Sequence, residues 1–105
     1  MLIGHYQCVC HDGEFERNLE TIFGALAKAA SLKLEILCLP ESMLTGYFRE
    51  EAEAREHCFE VDSPKMRKVL EATKQFDTTF LAGFNELRNG ELYNTVAVVE
   101  RGAIL

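Results

Sequence analysis

The chain has 105 residues, 48% hydrophobic and 27% charged, with a net charge of −6 at neutral pH. That length holds one domain with one modest core, and the interspersed acids and bases leave no basic patch of the kind that binds nucleic acid or an anionic membrane surface. There is no apolar run of the ~20 residues a membrane helix needs and no signal-peptide pattern, and the four cysteines sit mostly in apolar runs, so the chain reads as cytoplasmic with reduced, buried thiols.

The first element is a strand over Leu2–Cys10, mostly apolar and stopped by His11-Asp12-Gly13. Leu19, Ile22, Phe23, Leu26, Ala29 and Ala30 then fall at helical spacing and predict an amphipathic helix over Asn18–Leu32. Glu14, Glu16 and Glu20 near its start favour the positive end of its dipole. Leu34–Leu39 is a second strand, ended abruptly by Pro40-Glu41 and a turn region that reaches Gly46. Phe48–His57 reads as a short polar helix, where Glu50, Glu51, Glu53 and Glu56 form a solvated face.

Asp62-Ser63-Pro64 is a helix start, with Ser63 as cap and Pro64 at the first helical position. The spacing carries that helix to about Gln75 and buries Met66, Val69, Leu70 and Thr73. Thr78–Phe84 is a third strand ending at Asn85-Glu86, and the turn Arg88-Asn89-Gly90 leads into a fourth over Leu92–Val99. Arg101-Gly102 is a second tight turn, after which Ala103-Ile104-Leu105 begins a returning strand. An apolar ending of this kind reads as a truncated domain, because an exposed apolar edge invites aggregation; the alternative is a short edge strand tucked into the sheet. The order of elements indicates α/β layering with a hairpin.

Open α/β sheets place their chemistry just beyond the carboxyl ends of strands, which is where Glu41 stands. A lone acid there is more often a helix cap or a solvated loop residue, but the surrounding pattern lifts it above that. Asn18 opens the first helix, Leu39-Pro40-Glu41 ends the second strand, and Leu44-Thr45-Gly46-Tyr47 follows. Ala82-Gly83-Phe84 with Glu86 closes the third strand, and Leu92-Tyr93-Asn94-Thr95 leads through Val98 to Gly102. In this order and spacing, the whole chain resembles the amino-terminal part of the nitrilase superfamily, the carbon-nitrogen hydrolases that include aliphatic amidases, N-carbamoyl hydrolases and nitrilases.

The resemblance implies part of an αββα sandwich of two mixed sheets, with about four strands and two to three helices in residues 1–105. It also implies an unpaired sheet face, a homo-oligomer, and a small-molecule amide, carbamoyl or nitrile substrate, with no metal or other cofactor. The family works through a Glu-Lys-Cys triad, in which Glu41 matches the general base. The matching lysine is expected a few residues after Leu105 and the cysteine further on. Tyr47 and Phe48 are candidates for walls of a substrate pocket or for packing. Glu86 is a candidate to position the lysine or a structural acid, Asn94 ties down backbone near the site, and Tyr93 belongs equally well to the core.

No other residues of the chain replace the missing pair. Lys65, Lys68 and Lys74 lie on the polar side of a helix, Cys38 is expected in the core, and Cys58 adjoins His57 in the acidic segment. Two further readings stand beside the hydrolase. One is a non-catalytic α/β binding or assembly module on the same scaffold. The other is a metal site of Cys8, Cys10 and His11 with His5 or His57, although Cys-x-Cys lacks the gap of common zinc knuckles and has no second pair.

Overall fold

Alternation along two long strands sets the architecture. In the computed structural model, which describes residues 1–105, the elements run β1 (Ile3–His5), α1 (Phe15–Ser31), β2 (Ile36–Cys38), α2 (Glu51–His57), α3 (Pro64–Thr73), β3 (Thr79–Arg88), β4 (Glu91–Glu100) and β5 (Ala103–Ile104). They form one mixed five-stranded sheet in sequential order. β1, β2 and β3 are parallel, and β4 and β5 are added antiparallel. The β3–β4 hairpin closes through Asn89 and Gly90 at φ 52° and 79°, the left-handed pair whose twist matches two right-twisted strands.

Successive strand residues face opposite sides of a sheet. Phe80, Ala82 and Phe84 of β3, with Val99 and Ala97 opposite them on β4 and Leu37 on β2, are buried on one side. They pack in one cluster with Ile22 and Leu26 of α1 and Met66 and Val69 of α3. Each Phe, Leu, Ile, Val or Met side chain among them contributes about 1.5–3 kcal/mol when fully buried. The other side carries no helix. There Ile3 and Val96 are 58% and 55% exposed, and Ile36, Cys38, Leu81 and Val98 are only half-buried.

The α/β class and the hairpin match the sequence reading, with five strands where about four were expected. Strand β1 is much shorter than Leu2–Cys10, because β2 offers it only a short edge. After His5 one further bond joins the Tyr6 N–H to the Cys38 carbonyl, and the chain leaves the sheet. Strand β2 is likewise shorter than Leu34–Leu39. Helix α1 starts at Phe15, its first turn closed by the Asn18 N–H on the Glu14 carbonyl, so Asn18 lies inside the helix rather than opening it. Helix α2 starts at Glu51, and Phe48 instead stacks its ring on His57 at 5.2 Å. Ser63 and Pro64 start α3 as expected, with Ser63 Oγ accepting from the Met66 N–H at 3.2 Å. That helix stops at Thr73 and leaves Leu70 half-buried. All four cysteines are free thiols and half-buried, so none is a fully buried core residue.

β3 continues through Asn85 and Glu86 to Arg88, past the end that the sequence suggests. Its edge toward β2 would have unpaired backbone groups once β2 ends, and buried backbone groups must find partners. The Leu81 and Gly83 carbonyls accept from Leu39 and Leu44, and Asn85 donates its N–H to Thr45 Oγ1. Beyond that, Phe59 bonds both the Asn85 carbonyl and the Leu87 N–H. The loop after β2 therefore takes over as edge partner of β3, and this fixes the place of Glu41.

Candidate active site

The turn from Glu41 to Gly46 is anchored at almost every position. Ser42, Met43, Leu44 and Thr45 are buried while Glu41 is exposed. Ser42 adopts a left-handed φ of 55°, and its carbonyl accepts from both the Thr45 and Gly46 N–H groups, at 3.2 and 2.7 Å. A non-glycine residue in that region is uncommon and persists where its surroundings over-determine it. Gly83 lies directly beneath. A Cβ at that position would stand 2.6 Å from Ser42 N and 3.4 Å from the Glu41 carbonyl carbon, so only a glycine lets the turn rest on the sheet.

A second set of bonds ties this turn to the loop before α1. Thr45 Oγ1 receives both the backbone and side-chain N–H groups of Asn85 at 3.1 Å. Asp12 Oδ1 accepts from the Tyr47 N–H at 2.9 Å, and the Gly13 N–H donates to the Thr45 carbonyl at 2.9 Å. That loop is held in turn by Asn18, fully buried, whose side chain accepts from the His11 N–H and donates to the His11 carbonyl, both at 2.8 Å.

With its backbone fixed, Glu41 reaches over the helix-free side of the sheet. Asn94 Nδ2 donates to Glu41 Oε1 at 2.6 Å, a charge-assisted bond that orients the carboxylate. Beside the pair is an open cavity of about 350 Å³, lined among others by Cys38, Pro40, Leu81 and Val96. No lysine or arginine lines it. Cys38, expected in the core, belongs to this cavity, because alternation along β2 buries Leu37 and turns Cys38 to the open side.

Of the residues singled out in the sequence, Glu41 and Asn94 come together and the others do not join them. Tyr47, 65% exposed, lines a separate surface hollow with Asp12, Arg49, Glu50 and Glu53, and Phe48 is engaged with His57. Glu86 is not past a strand but within β3. It is 7% exposed, aligned with Phe84 on the helix side, and accepts from Thr95 Oγ1 at 2.8 Å. Tyr93, its partner across the ladder, lies 4.1 Å from the Arg88 guanidinium and also faces that side. Sequence reasoning did not find the roles of Ser42, Thr45 and Gly83. The role of Asn18 had a usable signal, since it falls four and eight residues before Ile22 and Leu26 on the apolar face of α1 and so requires a buried partner.

The thiols form a separate group. Cys8 and Cys10 both direct S–H groups to Met43 Sδ, at 3.7 and 3.5 Å. Burial pushes both thiol pKa values up, and for Cys10 the neighbouring Cys8 and Asp12 add to the rise. Nowhere do three His, Cys, Asp or Glu side chains converge as metal ligands. His11 approaches Glu14 and His57 is stacked on Phe48, so the histidines do not complete a site with the two thiols. No helix is long and apolar enough to cross a membrane.

Comparison with known proteins gives a consistent set of matches. A family model described as carbon-nitrogen hydrolase matches residues 2–105. A glutamine-dependent NAD(+) synthetase of Thermotoga maritima is 32% identical over 93 residues, which cover 89% of this chain and 16% of the relative. An (R)-stereoselective amidase of a Pseudomonas species is 28% identical over 99 residues, covering 94% of this chain and 35% of the amidase. Among solved structures, a CN-hydrolase superfamily protein of Xanthomonas campestris superposes with a TM-score of 0.77 at 15% identity, covering 94% of this chain and 36% of that one; that likeness is one of fold. The chain thus spans about a sixth to about a third of the length of these curated relatives.

Proposed function

The chain belongs to the carbon-nitrogen hydrolase family, and we propose that it is the amino-terminal segment of a hydrolase acting on non-peptide C–N bonds, with Glu41 as general base. The observation that carries this reading is the Glu41–Asn94 pair, fixed over an open cavity at the carboxyl end of β2. The segment supplies the base and its orientation. In the proposal, a lysine and a nucleophilic cysteine come from chain beyond residue 105, in keeping with the fraction of its relatives that this segment spans.

The chemistry assigns each part a task. Glu41 takes the proton of the thiol as its sulfur attacks the carbonyl carbon, and the lysine stabilises the oxyanion that forms. The amine leaves carrying the proton that Glu41 took from the thiol, and the acyl group remains on sulfur as a thioester. Glu41 then takes a proton from water, which attacks the thioester, and passes it to the departing sulfur as the acid is released. One relative is an amidase and another is named for its dependence on glutamine, a primary carboxamide. Both names favour an amide over a carbamoyl or nitrile substrate.

The test is ammonia release from a panel of primary amides, carbamoyl compounds and nitriles by the complete gene product that carries residues 1–105. Hydrolysis of at least one class supports the proposal. A folded product that hydrolyses none of them favours the reading as a non-catalytic binding or assembly module.

A further inference from the structure

The sulfur cluster behind the Glu41 turn, where Cys10 Sγ also faces the Glu41 carbonyl at 3.8 Å, takes no part in the proposed reaction. We propose that Cys8, Cys10 and Met43 form a three-sulfur site for a soft monovalent cation, Cu(I). The donors come from two separate stretches of chain, the extended segment after β1 and the turn after β2. Both thiol sulfurs converge on the same thioether, at 3.7 and 3.5 Å. Thiolate–metal bonds of about 2.3 Å in a trigonal arrangement place their sulfurs about 4 Å apart, so a small outward shift of each donor opens a space of that size.

The donor chemistry selects the ion. Thiolates and thioethers are soft ligands that prefer Cu(I), whereas Zn²⁺ takes four ligands, usually with imidazole or further thiolates. No histidine joins this cluster, and one of its three sulfurs is a thioether, which is a weak zinc ligand. Met43 is fully buried and the two cysteines are half-buried, so an ion enters from the thiol side and is shielded on the thioether side. Binding replaces two S–H protons, which pass to solvent, and leaves one Cu(I) with two thiolates and a neutral thioether, with no change of oxidation state. Because Met43 is two residues from Glu41, the bound ion pins the segment around Cys8 and Cys10 to the turn that carries the carboxylate.

The test is anaerobic titration of the full reduced chain with Cu(I) buffered by bicinchoninate, read as the equivalents withdrawn from the chelator. One equivalent per chain is expected. Cys8→Ser and Cys10→Ser each weaken binding by more than the roughly 10–100-fold that outer-shell partners are worth, and Met43→Leu weakens it by about tenfold. Cys38→Ser and Cys58→Ser leave it unchanged. X-ray absorption at the copper edge on the unmutated chain counts three sulfur neighbours, a readout that does not depend on whether a variant folds. Failure to withdraw Cu(I), binding insensitive to Cys8 and Cys10, or a two-sulfur coordination shell would each overturn the proposal.

Discussion

Asn94 donates its side-chain amide to Glu41 Oε1 across 2.6 Å, joining the middle of β4 to the turn that follows β2. Alternation along β4 makes this possible. Asn94 faces the helix-free side, while its neighbours Tyr93 and Thr95 face the helices. Replacing Asn94 with Ala removes the donor and frees the carboxylate to rotate. A charge-assisted bond at an exposed group lies at the low end of its range, about 1.4 kcal/mol, or tenfold in rate. Asn94→Ala in the complete gene product should lower kcat/KM by about tenfold while the protein stays folded, its unfolding midpoint falling by no more than a few degrees. Asn94→Asp should lower it further, because it sets a second negative charge against Glu41. Steady-state kinetics on both variants checks this.

Gly83 tests whether the turn must rest directly on the sheet. Its missing Cβ is the space that Ser42 N occupies, and backbone atoms, unlike the end of a flexible side chain, cannot swing aside. Gly83→Ala should destabilise the protein by about 1–3 kcal/mol and reduce turnover through displacement of Glu41. Thermal unfolding and kinetics on the same sample separate the two effects. A variant with wild-type stability would show that the turn stands off the sheet.

Asn18 lies far along the chain from Glu41 yet holds the loop on which the turn leans. Its fully buried amide serves both the N–H and the carbonyl of His11. Asn18→Ala leaves both backbone groups unpaired and should cost about 2–4 kcal/mol. Asn18→Asp keeps the acceptor and loses the donor, and should also be destabilising. Chemical denaturation gives the magnitude, and amide exchange at Gly13 and Tyr47 should rise in both variants, because their N–H groups bond Thr45 and Asp12.

Local chemistry made much of the fold legible. The apolar spacing of α1, the Ser63-Pro64 start of α3 and the Asn89-Gly90 turn each rest on interactions within a few residues, and each stands where the sequence places it. The misplacements arise from distant partners. Asn85 and Glu86 read as a strand end because they are polar, but Thr45, Phe59 and Thr95 satisfy them from other elements and β3 runs on. Leu2–Cys10 reads as one long strand because it is apolar, but strand length is set by the partner, and β2 is short. At the site, Glu41 stood out from its place after an apolar run. Asn94 gained its partner only when the hairpin brought β4 across the turn. Tyr47 and Phe48 follow Glu41 closely, Tyr93 adjoins Asn94, and Glu86 reads as a strand end, but strand alternation and the course of the turn carry their side chains elsewhere.

The central claim is that Glu41 moves the protons of the reaction, and Glu41→Gln tests it most directly. Glutamine keeps the size of the side chain and can still pair with Asn94 through its carbonyl, but it cannot take a proton from a thiol or from water. Measured on the complete gene product with an amide that the unmutated protein hydrolyses, kcat should fall on the order of 10³-fold, while the circular dichroism spectrum and unfolding midpoint stay as they were. Turnover near that of the unmutated protein would contradict the account and reduce Glu41 to a solvated residue at the end of a strand.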